Sequence, residues 1–440
     1  MSVFAVFLIL LVPVVTLCLE SARLTPLVVS SLYLTPILFG YAELDARNDS
    51  HTALLYCSAA GCFIVGYLAH RKFRHTRKRS ILLRDDSLPP RRSAPGIRWF
   101  GWIVVTLTAY HFAMAGVPLF STDIETSRFD FTSSGLFGIP GRMFLFGLPF
   151  TTLLVTVASV RKLVPVSRAL VIFLWCAYAT ANLLGGFKGG LVSVLTTMLL
   201  ARSITSRPLA LRRAVVGWRI VVIIIALLYG GVISLRYRSL GLNSPADVVP
   251  YLAARATVSA AEPGYLVFER FGTDGTGGAQ FAQDTRYFLT KYLPFLPLEQ
   301  SVVFPFEKTV SAALSRTPIS STAFIVPVTI GAFPELVANL GVWVALSAMF
   351  LIGIVLSYLV SKAQHCTSAL NGALLGLAVY FLQIYILNGD LVYSFLNLSL
   401  MSALLLMLYG FCQYPWASFR TTARQLHSRR RVMSAMEASR

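Results

Sequence analysis

Residues 52–79 read TALLYCSAAGCFIVGYLAHRKFRHTRKR. The eighteen residues from Thr52 to Ala69 carry no charge, and the ten that follow carry six lysines and arginines. An uncharged apolar run of about this length is what a helix needs to cross a hydrocarbon core of about 30 Å. A cluster of Lys and Arg at one end of such a run marks the cytoplasmic side. The basic segment continues through Arg84, Arg91, Arg92 and Arg98, so residues 70–98 are assigned to the cytoplasm.

The rest of the chain repeats this pattern. Its 440 residues are 56% hydrophobic and 13% charged, with a mean hydropathy of +0.68. Soluble domains carry about 25% charged residues, so a soluble enzyme, a disordered chain and a coiled coil are excluded. About eleven (10–12) stretches are apolar enough to span: 2–19, 25–42, 52–69, 99–118, 142–160, 168–185, 189–206, 214–233, 340–360, 369–387 and 391–411. The expected fold is an all-α polytopic membrane protein. Residues 1–233 carry spans one to eight, 234–339 form an extracytoplasmic loop subdomain, 340–411 carry the last three spans, and 412–440 form a basic cytoplasmic tail.

Counting outward from the basic segment puts Arg161, Lys162, Arg202, Arg212, Arg213 and Lys362 inside, with the N-terminus outside and the C-terminus cytoplasmic. The net charge of +19 is then mostly a topological signal facing anionic membrane lipids. The basic segments have few interleaved aromatics, which argues against nucleic acid. Of nineteen acidic residues, only Glu20, Asp85, Asp86 and Glu437 fall inside. The apolar stretch Ser321–Pro334 would break the parity if it spanned. It contains Pro327, Gly331 and Pro334 and is read as a re-entrant piece.

No carboxylate sits mid-span, which weakens a proton-coupled transporter. The six cysteines lie in or beside apolar stretches without a CxxC spacing, so disulfide or zinc chemistry has no support. The turn Gly185-Gly186-Phe187-Lys188-Gly189-Gly190 precedes a helix. It reads either as a phosphate cradle built from backbone amides and one lysine or as a tight turn with a snorkelling lysine. The long outer loop mixes Arg236, Arg238, Arg255, Arg270 and Arg286 with Glu262, Glu269 and Asp274. Arginines suit phosphate oxygens, and a carboxylate suits a general base toward a sugar hydroxyl. The alternative for each is a solvated surface pair. The same loop has a glycine-rich run, Gly272–Gly278, expected to be flexible, and helix-like patches at Ala246–Ala261 and Gln280–Tyr292. His111 is a candidate proton relay or an interhelical hydrogen-bonder. No metal site is expected.

Four short motifs resemble the bacterial oligosaccharide repeat-unit polymerases, the Wzy-type O-antigen polymerases. They are Gly116-Val117-Pro118-Leu119-Phe120 leading to Arg128-Phe129-Asp130-Phe131, the Gly185–Gly190 turn, Gly331-Ala332-Phe333-Pro334-Glu335 with Asn339-Leu340-Gly341, and Asn388-Gly389-Asp390. Lys188 and Asn388 stand where the family more often has Arg, and Arg128 and Gly138 are nine residues apart rather than ten. The resemblance implies a GT-C-like membrane glycosyltransferase on the outer face of the bacterial inner membrane. It would join undecaprenyl-diphosphate-linked oligosaccharides without a cofactor, alongside a chain-length regulator protein. The rivals are an O-antigen ligase, which commonly needs a histidine in this loop, and a lipid-linked oligosaccharide flippase. The substrate-contacting cations expected are Arg128, Lys188, Arg236, Arg238, Arg255, Arg270 and Arg286, and the base candidates are Glu262, Glu269 and Asp274. Lys188→Ala is expected to leave the protein in the membrane and collapse the polymer ladder to single repeats on a glycan gel. A normal ladder from a well-expressed variant removes Lys188 from the mechanism.

Overall fold

The computed structural model describes residues 3–77, 94–121, 124–133, 139–186, 190–205, 209–210, 245–292, 305–316 and 328–413. Helices dominate. The first are α1 (Val3–Leu19), α2 (Pro26–Asn48), α3 (Thr52–Arg77), α4 (Ala94–Ala115), α5 (Ile124–Ser133) and α6 (Ile139–Arg142). A π-helical turn, Met143–Gly147, joins α6 to α7 (Leu148–Val160), and α8 (Arg168–Leu184) and α9 (Gly190–Thr205) follow. The long loop contributes α10 (Pro245–Ala256), α11 (Val258–Phe271), α12 (Ala279–Tyr292), α13 (Phe306–Leu314) and α14 (Ala332–Leu340). The chain closes with α15 (Val342–His365), α16 (Ala369–Asn388) and α17 (Leu391–Gln413). Two short strands, Arg23–Leu24 and Leu209–Ala210, pair antiparallel.

Among the described residues, seven helices are long and apolar enough to cross a membrane: 26–48, 52–72, 95–120, 139–160, 342–365, 369–388 and 391–413. Three of the other expected spans appear as shorter apolar helices, Val6–Leu19, Arg168–Leu184 and Val192–Thr205. The expected span 214–233 lies outside the described residues, as do 78–93 and 414–440. Large apolar side chains stay on the outside of the bundle, including Trp99, Trp343, Leu351 and Met407. In water they would be a liability, whereas against lipid tails they cost nothing.

Local chemistry sets the helix ends. Thr25 caps α2 by accepting the Val28 N–H at 3.4 Å, with Pro26 at the first helical position. Asp45, near the end of α2, reaches over the turn to the start of α3. Its carboxylate accepts the backbone N–H groups of Thr52 (3.1 Å) and Ala53 (2.7 Å), so one acid closes the hairpin. At the other end of the bundle, Arg161 donates to carbonyls at the ends of two helices: Ile204 of α9, and Ala363, Gln364 and the C-cap Cys366 of α15. These are helix-end acceptors that water or a cation must satisfy. We call this the basic end; it also carries Arg71 and Lys362.

The tightest packing is between α3 and α15. A Cβ on Gly353 would lie 2.1 Å from the Phe63 carbonyl oxygen, and one on Gly66 would lie 1.9 Å from that of Phe350. Close backbone approach through small residues is the normal way to join helices in lipid, where apolar side chains gain little by meeting. Nearer the basic end, His70 Nδ1 meets Ser357 Oγ at 3.0 Å.

The described part of the long loop packs onto the opposite end of the bundle. Tyr41 of α2 and Tyr56 of α3 have ring centroids 4.9 Å apart. Phe333 of α14 stacks on Tyr56 at 5.5 Å, and Phe268 of α11 meets Tyr41 edge-on at 6.2 Å. A second small cluster, Val267, Phe306, Val310, Ile330 and Ala338, ties α11, α13 and α14 together. We expect Gly353→Ala to lower the thermal unfolding midpoint of the detergent-purified protein by several degrees, because overpacking costs about 1–3 kcal/mol. Gly61→Ala, one turn from the contact with open space around it, should leave the midpoint unchanged.

Candidate functional site

At the loop-bearing end the chain turns at Gly331 and again at Gly341, on either side of the short helix α14, and these turns build a polar knot. The Ile330 and Gly331 N–H groups both donate to the Asn388 carbonyl at 3.0 Å. Glu335, on the first turn of α14, accepts the Leu391 N–H through Oε1 at 2.9 Å. The Gly331 and Asn388 motifs, far apart in sequence, therefore interlock. On the far side of α14, the Ala338 and Asn339 carbonyls accept the N–H groups of Thr276 and Gly278, both at 2.8 Å. Asn339 Oδ1 accepts the Phe281 N–H at 2.9 Å, which starts α12. The run Gly272–Gly278 is thus an ordered strap and not the flexible segment its composition suggested. Gly275 (φ 76°) and Gly341 (φ 77°) need their left-handed backbone. A Cβ on Gly275 would lie 2.4 Å from the Gly341 nitrogen.

Four carboxylates meet around this knot: Glu335, Asp390, Asp284 of α12 and Glu307 of α13. Asp284 accepts the Phe306 N–H at 2.7 Å and caps the start of α13. Edge-on packing of Phe288 on Tyr393, with centroids 6.0 Å apart, holds α12 against α17. Withdrawal from water raises all four acids, and their mutual repulsion adds to it for Glu307, Glu335 and Asp390. Asp284 is pushed up to about 6 although the Phe306 N–H pulls the other way. Asp390 is pushed up to about 7. Glu307 and Glu335 are held well above the usual carboxylate range. Lys308, beside Glu307, is lowered by its own burial.

Glu335 is 1% exposed, and its carboxylate lies beside the buried Tyr385 hydroxyl. Among the described residues, no three His, Cys, Asp or Glu side chains converge closely enough to hold a metal ion. A second buried polar pair lies in the adjoining bundle. Arg142, 4% exposed at the π-turn of the α6–α7 span, donates from Nε to Asn397 Oδ1 of α17 at 2.7 Å. A π-turn inside a span is itself a frequent companion of functional residues.

Of the base candidates expected from the sequence, Asp274 belongs to the Gly272–Gly278 strap, with its carbonyl beside Gly341. Glu262, Glu269 and Asp274 are exposed. Arg270 is exposed and lies over the Phe271 ring at 5.9 Å, and Arg255 donates to the Tyr251 hydroxyl at 2.8 Å. Arg128 on α5 and Arg286 on α12 are half-buried, and Arg286 shares its helix with Asp284. Lys188, Arg236 and Arg238 lie outside the described residues, as does the first half of the stretch 321–334, residues 321–327; its last three residues begin α14. His111 is buried and its Nε2 donates to the Phe131 carbonyl at 2.7 Å, so it fastens α5 to α4. Comparison of the chain with protein-family models, with curated proteins and with solved structures returns no match.

The raised acids set a pH dependence. Between the ordinary Asp value of 3.8 and about 7, folded Asp390 holds a proton that the unfolded chain releases. Stability from this group is therefore present at low pH and lost as pH rises through about 7. The unfolding midpoint of the purified protein should fall as pH is raised from about 5 to about 8. Asp390→Asn should flatten that slope, measured by differential scanning fluorimetry.

Proposed function

We propose that this chain is a membrane-embedded polysaccharide polymerase that joins undecaprenyl-diphosphate-linked oligosaccharide repeat units by glycosyl transfer. The observation that carries the reading is the interlock of two of the family-like motifs, Gly331–Glu335 and Asn388-Gly389-Asp390, in one carboxylate cluster. In this reading the chain crosses the bacterial inner membrane eleven times in a GT-C-like arrangement. The N-terminus and the knot then face outward, and the basic end faces the cytoplasm.

The chemistry follows from the residues. The acceptor sugar hydroxyl attacks the anomeric carbon of the donor glycan as its bond to the diphosphate oxygen breaks. Undecaprenyl diphosphate leaves with the bonding pair. The hydroxyl proton passes to a carboxylate, and a group titrating near neutrality is the efficient base. Asp390 fits that role best, with Asp284 next. Charge developing on the diphosphate calls for cations, and Arg286, Lys308, Arg128 and the undescribed Lys188, Arg236 and Arg238 are the candidates. No nucleotide or cofactor is needed, since the donor is already activated.

A second reading, a flippase for lipid-linked oligosaccharides, draws on the same near-neutral acids, which would suit proton coupling. One experiment separates the two. Purified protein in proteoliposomes is given synthetic lipid-diphosphate repeat units, and products are scored as dimers and longer chains. The polymerase reading expects chain growth from the wild type and a loss of about 10²–10⁴-fold in rate for Asp390→Asn. Translocation of intact repeat units without growth, under conditions where a known polymerase works, would support the flippase and overturn the polymerase.

A further inference from the structure

A cavity lies at the basic end, away from the carboxylate knot. It has a volume of about 260 Å³ and sits between the α1–α2 turn and the final turns of α3 and α15. Arg23, His70, Arg71 and His365 line it, with the hydroxyls of Ser357 and Ser361 beside them. Glu20 is the single acid in the lining. It is buried and ion-paired with Arg71, whose own side chain is 44% exposed. A guanidinium has five N–H donors in a fixed fork, and the Glu20 contact leaves most of them available to a second anion.

The walls are built rather than incidental. Ser21 and Ala22, in the turn that forms one side, both adopt a left-handed backbone at φ 52°. Consecutive non-glycine residues in that region are costly and persist only where the surroundings hold them. The adjoining strand pairs Arg23 with Ala210 and Leu24 with Leu209, so the turn is pinned from both sides. The His70–Ser357 contact closes the floor between α3 and α15.

We propose that this cavity binds a phosphate group, with its ligand the headgroup of an anionic phospholipid or a soluble phosphate. Two arginines and two histidines against one acid favour an anion. The fork geometry of arginine and the hydroxyl donors match phosphate oxygens. The position favours the lipid source. The cavity lies at the end of apolar helices, and Leu351, Val355 and Tyr358 form an exposed apolar stripe along α15 beside Ser361. A headgroup in the cavity would leave its acyl chains along that stripe. The site is independent of whether the opposite end performs glycosyl transfer.

The test uses the full-length, detergent-purified and delipidated protein. Dihexanoyl phosphatidate and inorganic phosphate are titrated separately, with dihexanoyl phosphatidylcholine as the zwitterionic control, and binding is read by calorimetry. Saturable binding of one phosphatidate per chain is expected, weakened about tenfold or more in an R23Q/H365Q variant. Lys362→Gln, at the same end but over the Tyr358 ring and outside the cavity, should stay within about twofold of wild type. Ser361→Leu, which fills the cavity and leaves every cation in place, should also weaken binding. Phosphate competing with phosphatidate identifies a soluble source, and phosphatidate binding without competition identifies a lipid source. Absence of saturable binding by either probe overturns the proposal. So does Lys362→Gln weakening binding as much as the double variant, which would show diffuse attraction of charge.

Discussion

In hydrocarbon, every backbone N–H and C=O must find a partner within the protein. An unbroken helix meets this by itself, and a broken one cannot. The turns on either side of α14, at Gly331 and at Gly341, therefore need partners from other segments. Asn388 lends its carbonyl to the segment entering α14, Glu335 takes the first amide of α17, and Thr273 O accepts the Val342 N–H at 2.8 Å. The glycine-rich strap then satisfies the end of α14. The described parts of the long loop are held where they are because they complete this accounting.

That requirement also brings the acids together. Glu335 and Asp284 each have a plain structural task, accepting one helix-starting amide apiece. Such tasks normally favour the ionised form, yet burial and crowding outweigh them and push both groups upward. A fold that needed only caps could use Ser or Asn, as Ser167 does for α8. Glu335 has a second carboxylate oxygen beyond the one that accepts the Leu391 N–H, and the Tyr385 hydroxyl lies beside the carboxylate.

Much of the architecture was legible in the sequence. The alternation of apolar runs with clusters such as 70–79 depends on local composition alone, and seven spans follow from it directly. The Gly331 and Asn388 motifs were visible as motifs. What composition could not show was their meeting, since the Leu391–Glu335 contact joins residues 56 apart. Glu262, Glu269 and Asp274 drew attention because they lie in a polar loop near glycines, and their side chains are exposed in the folded chain. An acid inside an otherwise apolar run, as Glu335 is in AFPELVANL, is the signal that marks a buried carboxylate. Arg142 carried a comparable signal at the head of an apolar stretch. Asp284 sits among polar neighbours, and only the packing of α12 withdraws it from water.

The pairing of α3 with α15 has a consequence for how the chain is made. His70 and Ser357 are separated by 287 residues. At ordinary synthesis rates α3 enters the membrane on the order of tens of seconds before its partner exists. During that interval the Gly66 face, shaped to receive another backbone, is open to lipid and to any other helix with a small-residue face. The early spans must therefore wait in a state that is inserted and incomplete. That face stays without its partner until α15, Val342–His365, has been made.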